Sequence, residues 1–220
     1  MIPVENLQTE NQPATLSDKK IFIKIWTEPR LVFKFINDTK HDKYVHILLI
    51  LAGIARGFDN ASAKNMGDKM PLLGVIALSM LAGGVFGYMT YYIYATMMSW
   101  AGQWLRGVGN TSSILRMLSY AMLPSILTLF ILMPQIILFG NGMFQGEINM
   151  DESSLLSTMF FYVSLLIQLT LGIWTVCLVV VGTSEVQKIS IGKSILNIIL
   201  PGLIVIVAMT IIVIGINLLK

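Results

Sequence analysis

The stretch SSLLSTMFFYVSLLIQLTLGIWTVCLVVVGTS, residues 153–184, decides the fold because it contains no Asp, Glu, Lys or Arg. Three further stretches share this property, at 70–105, 117–146 and 194–219. About 20 apolar helical residues cross the roughly 30 Å hydrocarbon core of a bilayer, so each stretch is long enough to span it. A charged residue at the centre of a span would cost about 2.5 to 3.5 kcal/mol. The sequence therefore predicts an integral membrane protein with an all-α fold.

The composition excludes a soluble globular domain, since 55% of the residues are hydrophobic and only 12% are charged, against about 25% charged residues in soluble domains. The net charge of +3 is small. Because no basic block of the nucleic-acid-binding kind is visible, we expect no nucleic-acid partner.

Motifs for catalysis are also missing from the sequence. It contains no H-E-x-x-H, no G-x-S-x-G, no paired intramembrane carboxylates and no phosphate-binding glycine loop. His41 and His46 lie beside the predicted membrane surface without a cluster of Cys or carboxylates to complete a metal site. We therefore expect no enzymatic activity, no metal and no cofactor.

The chain before the spans divides into two parts. Residues 1–18 form a polar arm that we expect to be disordered, and residues 19–43 are predicted to form amphipathic helices at the membrane surface. Ser17 is a candidate N-cap for the first of these helices, and Thr27 for a second helix that has Pro29 in its first turn. Apolar residues recur at about 3.6-residue intervals, with basic residues between them: Ile21, Phe22, Ile25, Trp26, Val32, Phe33 and Ile36. A soluble helix pair packed on the cytoplasmic end of the bundle is the alternative.

Residues 44–220 are predicted to form a transmembrane bundle of five helices. The spans are expected at about 44–63, 71–101, 114–140, 155–183 and 194–218. The first span contains Arg56 and Asp59, which are three residues apart and so can pair on one helix face. A short or tilted span is our interpretation of this segment, and a re-entrant or interfacial helix is the alternative.

The distribution of Lys and Arg predicts the orientation. With five spans, 11 of the 15 basic residues lie on the side of the amino terminus and four on the other, which places the amino terminus in the cytoplasm and Lys220 outside. A four-span arrangement, with 44–63 on the surface, gives the same division. The segment 141–154 favours five spans, because it has three acidic residues and no basic one.

Two features inside the spans have a structural interpretation. Gly83 and Gly87 form a small-xxx-small pair that allows a second helix to approach closely. We expect this pair to serve packing within the bundle, with a homodimer face as the alternative. Pro124 and Pro134 in the third span and Pro201 in the fifth are expected to bend their helices.

Three segments together resemble one family of membrane proteins. The segments are Glu28-Pro29-Arg30 with Phe33 and Ile36; Trp104 to Gly109 followed by Leu118-Ser119-Tyr120-Ala121-Met122-Leu123-Pro124; and Trp174, Gly182, Glu185, Ser190 and Lys193. In order and spacing, they are similar to the Yip-one domain family of five-pass proteins related to the Ypt/Rab-interacting proteins, in its bacterial form. The resemblance covers about residues 22–219. The glycine turn departs from the bacterial pattern, and the Asp-Leu-Tyr-Gly-Pro signature of the eukaryotic branch is missing, which argues against Rab binding.

The resemblance implies a five-helix bundle with a cytoplasmic amino terminus, in the inner membrane of a bacterium, and no assigned enzymatic activity. The positions it identifies as partner-binding or structural are Pro29, Arg30, Tyr120, Pro124, Gly182, Glu185 and Lys193. Glu185 is within reach of Lys188, so it forms either a surface ion pair or a contact with a headgroup or partner.

These observations together favour a non-enzymatic membrane protein that acts through protein partners or lipids, as a scaffold, adaptor or organiser of the membrane. Its expected partners are the lipid bilayer, another protein and, as an open possibility, a second copy of the chain. The alternative is a small permease or a carrier of ions or lipids, with a water-accessible path along Gln135, Gln168 and Asn197 beside the proline-broken helices.

Overall fold

The computed structural model describes residues 16–146 and 155–218, and this part of the chain is helical and contains no strand. The helices are α1 (Asp18–Lys24), α2 (Pro29–Asp38), α3 (Val45–Ala63), α4 (Leu72–Trp104), α5 (Thr111–Ala121), α6 (Leu123–Phe139), α7 (Leu155–Gln187) and α8 (Ile191–Leu218). A short 3₁₀ turn at Met66–Asp68 connects α3 to α4, and a second one at Gly140–Phe144 follows α6. Most of the predicted arm, the acidic residues Glu147, Asp151 and Glu152, and Lys220 lie outside the described residues.

Four helical segments of the described chain are long and apolar enough to cross a membrane. They are Leu72–Trp104, Thr111–Phe144, Leu155–Gln187 and Ile191–Asn217. The protein is therefore a multi-pass membrane protein. The helix α3 forms where the first span was predicted, but Arg56 and Asp59 lower its hydropathy. That α3 crosses the membrane, which would bring the number of spans to five, stays a prediction.

The bundle has two distinct ends. At one, which we call the amino-terminal end, α1 and α2 lie close to the turn between α4 and α5 and to the turn between α7 and α8, because α2 packs on α7 and Val108 N–H donates to the Gln187 carbonyl. At the other, the opposite end, the two 3₁₀ turns meet: Asn141 Nδ2 donates to the Gly67 carbonyl at 2.7 Å.

The helix pair α1–α2 packs on the bundle through its apolar side. Val32, Phe33 and Ile36 of α2 are fully buried, and α2 contacts α5 and α7. This is the packed arrangement considered as the alternative above, so the apolar side does not face lipid; a location at the level of the headgroups stays a prediction.

Pro29 is the first residue of α2, as predicted, but the prediction of Thr27 as its cap is wrong: Glu28 precedes the helix, and its side chain makes no capping bond. Ser17 does flank α1, also without a side-chain capping bond.

The closest helix packing joins α3 to α4. A Cβ atom added to Gly87 would lie 2.3 Å from Gly53 Cα, and one added to Gly57 would lie 2.4 Å from the Ser79 carbonyl oxygen. Because only hydrogen fits at these points, the two backbones touch. The face formed by Gly83 and Gly87 is thus occupied by α3 of the same chain, and a homodimer would need another surface.

The third predicted span is interrupted. Helix α5 ends at Ala121 and α6 begins at Leu123, with Pro124 in its first turn. Proline has no N–H to continue the helical ladder, which explains the break. Pro134 and Pro201 lie inside α6 and α8. Arg56 and Asp59 lie near enough for their charges to attract each other, but they form no ion pair within 4 Å in the described part of the chain.

Candidate functional site

Most of the partner-binding or structural positions that the resemblance identified lie toward the amino-terminal end of the bundle. Pro29 and Arg30 begin α2, Tyr120 is the residue before the last of α5, and Glu185 and Lys193 flank the turn between α7 and α8. Pro124 is the second residue of α6 and lies deeper in the bundle, and Gly182 lies in the last turns of α7. The pair Gly83 and Gly87 lies elsewhere, at the contact with α3.

Gly182 is the point at which α2 docks. A Cβ atom at this position would lie 3.2 Å from Phe33 Cε2 and 2.6 Å from Met117 Cγ. Phe33 and Met117 are both fully buried. The absence of a side chain at Gly182 therefore lets an aromatic ring of α2 and a side chain of α5 approach α7.

A buried glutamine organises the turn between α4 and α5. Gln187 is fully buried; its Oε1 accepts from Gly109 N–H at 2.9 Å, and its Nε2 donates to the Met98 carbonyl at 3.2 Å. Cβ atoms at Gly102 and Gly107 would lie 2.2 and 2.4 Å from the Gln187 amide. The glycines of this turn thus form a socket for one side chain from α7.

The turn between α7 and α8 is closed by charges and by backbone bonds. Lys188 Nζ donates to Glu185 Oε1 at 2.7 Å, and Ser184 Oγ donates to the Ile189 carbonyl at 2.6 Å. Lys193 does not reach Glu185; its ammonium donates to the Leu105 carbonyl at 3.3 Å. Lys193 therefore connects the start of α8 to the residue that follows α4. The pair of Glu185 with Lys188 stays within its own turn and is a surface contact of modest strength.

Two ion pairs fix the segment between α2 and α3. Arg116 is nearly buried and donates to both carboxylate oxygens of Asp42, at 2.7 and 3.1 Å. This hydrogen bonding lowers the pKa of Asp42 below its ordinary value. Asp18 accepts from Lys43 and from the Tyr44 hydroxyl, and the bond from Lys43 lowers the pKa of the Asp18 carboxyl. The same bond raises the pKa of Lys43.

Tyr120 lies beneath α1. It is fully buried, with its ring centroid 6.2 Å from those of Phe22 and His41, and its hydroxyl makes no hydrogen bond in the described part of the chain. Tyr120 therefore acts through packing. Among the described residues no three of His, Cys, Asp or Glu come close enough together to hold a metal ion.

Two of the three polar residues of the predicted carrier path contact each other, and the third lies apart from them. Gln168 Nε2 donates to Gln135 Oε1 at 2.8 Å, whereas Asn197 donates to the Met98 carbonyl at 3.0 Å. Counted from the turn between α7 and α8, Gln168 lies about 20 Å deeper along its helix than Asn197 does along α8, at a rise of about 1.5 Å per residue.

Sequence reasoning missed Gln187 and the glycines Gly53 and Gly57. A single neutral glutamine at the end of a span carries no sequence signal, because its partners lie about 80 residues away in the chain. Gly53 and Gly57, however, have the same four-residue spacing as Gly83 and Gly87, so the small-xxx-small criterion applied to both helices identifies the pair.

A comparison with protein-family models finds the Yip1 domain over residues 23–212. This range begins at the end of α1 and extends into α8, so it includes α2 to α7 entirely but not Asp18. Neither the curated proteins nor the solved structures that were searched gave a match.

Proposed function

Since the chain belongs to the Yip1 domain family, we propose that it is a non-enzymatic membrane scaffold whose amino-terminal end presents a basic surface to an acidic protein partner. In this proposal the bundle crosses the membrane five times, with α3 as the first span. The amino terminus lies in the cytoplasm and the carboxyl terminus outside, in the inner membrane of a bacterium.

The observation that carries the proposal is the docking of α1 and α2. The side of each helix that carries Ile21 or Phe33 is buried in the bundle, so the cationic residues of the other side face outward. We call the exposed cations of the two helices the basic face: Lys19, Lys20, Arg30 and Lys34. Ile23 and Leu31 are exposed beside them, with 69% and 38% of their surfaces accessible. Cations interspersed with apolar side chains suit an acidic, partly apolar partner segment.

The ion pairs next to α2 support a preorganised surface. Arg116 holds Asp42, and Asp18 holds Lys43, so the connection between α2 and α3 is fixed at two points. Phe33 at Gly182 anchors the middle of α2. A surface that is already ordered loses little conformational entropy when a partner binds, which favours a docking role.

The carrier alternative is less well supported. Gln135 and Gln168 are bonded to each other, and Asn197 lies at a different depth, so the polar residues required for a path are separated.

The test places a photo-crosslinking amino acid at Leu31 in the full chain, expressed in its own cells. We expect a discrete adduct whose crosslinked peptide is rich in Asp and Glu. R30Q/K34Q in the same background should reduce the adduct at least fivefold, because it removes two cations beside the probe. Changing the apolar side of α2 is unsuitable, since that side is core.

The matched control is K64Q/K69Q, which removes two exposed cations at the opposite end. It should leave the adduct intact. Equal adduct from all three proteins, or adducts with lipid alone, would reject the protein-docking role of the basic face.

A further inference from the structure

A groove of about 410 Å³ runs along the outside of the contact between α3 and α4. It begins at the opposite end, beside Lys64 and Lys69, and reaches Arg56 and Thr90 toward the middle of the bundle. This volume is in the range of small-molecule binding sites. None of its features takes part in the docking described for the amino-terminal end.

The wall that α3 contributes is polar. Arg56, Asn60 and Lys64 follow each other at intervals of four residues, so they lie on one face of the helix. All three side chains are exposed. The face runs about 12 Å from Arg56 to Lys64, at a rise of about 1.5 Å per residue.

The wall that α4 contributes is mainly apolar. Leu78, Ala82 and Phe86 are also four residues apart, and Leu78 and Phe86 are 43% and 65% exposed. The floor consists of the small residues at which the two backbones touch. Because these residues have a small side chain or none, the floor stays low and the groove stays open. They are Gly53, Gly57, Ser79, Gly83 and Gly87.

The cations of the groove are not neutralised by an ion pair within the described chain, although Arg56 also lies near the Tyr91 hydroxyl and the Asp59 carboxylate. Arg56, Lys64 and Lys69 form no ion pair there within 4 Å. The nearest acidic residues by sequence are Asp59, which does not line the groove, and Asp68, whose carboxylate accepts from Gly146 N–H at 3.3 Å. The groove is therefore lined by three positive charges and by no carboxylate.

We propose that this groove binds an anionic phospholipid. Its phosphate lies between Asn60 and Lys64, and the long side chain of Arg56 reaches toward it from the middle of the bundle. One acyl chain lies along Leu78, Ala82 and Phe86, where it covers apolar surface. A cation at membrane depth without an ion pair within 4 Å is costly, and a lipid phosphate compensates its charge. A free phosphate ion would leave the apolar wall uncovered.

The test uses the full chain purified in mild detergent and titrated with phosphatidylglycerol or with phosphatidylcholine of identical acyl chains. Native mass spectrometry counts the bound lipids. We expect one phosphatidylglycerol to bind at least tenfold more tightly than phosphatidylcholine. In R56Q/K64Q this preference should disappear, because each charge-assisted hydrogen bond to the phosphate contributes about tenfold. Equal binding of the two lipids by the native chain would overturn the proposal.

The matched control is R30Q/K34Q, which removes one Arg and one Lys of the basic face and should keep the tightly bound lipid. If it loses the lipid to the same extent as R56Q/K64Q, the groove is not the site. The two double variants also separate this proposal from the scaffold role, since each should abolish only one of the two interactions.

A third variant, A82L, fills the apolar wall without changing any charge. It should weaken phosphatidylglycerol binding severalfold and leave thermal stability unchanged. Full competition by inorganic phosphate, together with an unaffected A82L, would identify the ligand as a small anion and overturn the assignment to a lipid.

Discussion

Replacing Gly87 with alanine tests the packing of α3 on α4 most directly. The added Cβ would lie 2.3 Å from Gly53 Cα, whereas two carbon atoms approach comfortably at about 3.5 Å or more. The helices must therefore separate by about 1.2 Å at this point, since backbone has no rotamer by which to escape. A gap of up to about 1 Å already forfeits a quarter to a half of the dispersion energy of the contacts on either side.

We expect G87A to destabilise the protein by about 1 to 3 kcal/mol, the usual cost of overpacking. G84A is the matched control on the same helix. Its Cβ would lie 3.6 Å from the side chains of Ile50 and Ile54, which is ordinary contact, so its free energy of unfolding should stay within about 0.5 kcal/mol of the native value.

The measurement is equilibrium unfolding of purified protein by titration with SDS in mixed micelles, followed by circular dichroism and by fluorescence of the four tryptophans. A free energy of unfolding for G87A within about 0.5 kcal/mol of that of G84A would refute the backbone contact, because the two substitutions differ only in what their methyl groups meet.

Two further substitutions test the amino-terminal end in the same assay. Q187L should cost about 2 kcal/mol or more, because it leaves a buried turn amide without an acceptor, whereas Q103L, at an exposed position nearby, should change stability by less than about 0.5 kcal/mol; similar effects would contradict the socket. The bond from Arg116 lowers the pKa of Asp42, so its contribution to stability is present above about pH 4 and is lost as the pH falls further. Between pH 5 and pH 3 the native chain should therefore lose more stability than D42N, and parallel pH profiles would show that the pair contributes nothing.

The spans were predictable because they depend on local composition. The stretches without charge correspond to α4, α7 and α8, whose ends lie within a few residues of the predicted bounds. Pro124 correctly predicted a disturbance of the third span, since the effect of a missing N–H is local. Boundaries set by tertiary contacts were less predictable: Asp18, assigned to the arm, begins α1 and bonds to Lys43 across the connection to α3.

The side toward which an amphipathic helix faces was not predictable from its periodicity. The spacing of Val32, Phe33 and Ile36 identifies an apolar face, and both lipid and protein satisfy such a face. The choice depends on Gly182, about 150 residues away, whose missing side chain makes room for Phe33. The amino-terminal cations interpreted as a membrane-binding surface are consequently the outward side of a docked element, and this is why the basic face became the candidate docking surface.

The properties of α3 support the proposal that it crosses the membrane as the first of five spans. At 19 residues it is about 28 Å long, close to the roughly 30 Å of hydrocarbon. Its charged residues, Arg56 and Asp59, fall in its second half, so the long side chain of Arg56 can snorkel toward the opposite end. The contacts at Gly53 and Gly57 hold this marginal helix against α4 and remove part of its surface from lipid. A hydropathy criterion evaluates α3 alone, whereas in the bundle its polar face is confined to the groove beside α4, where an anionic lipid would neutralise it. The charges that weaken α3 as a span by composition are thus the ones that the proposed lipid requires.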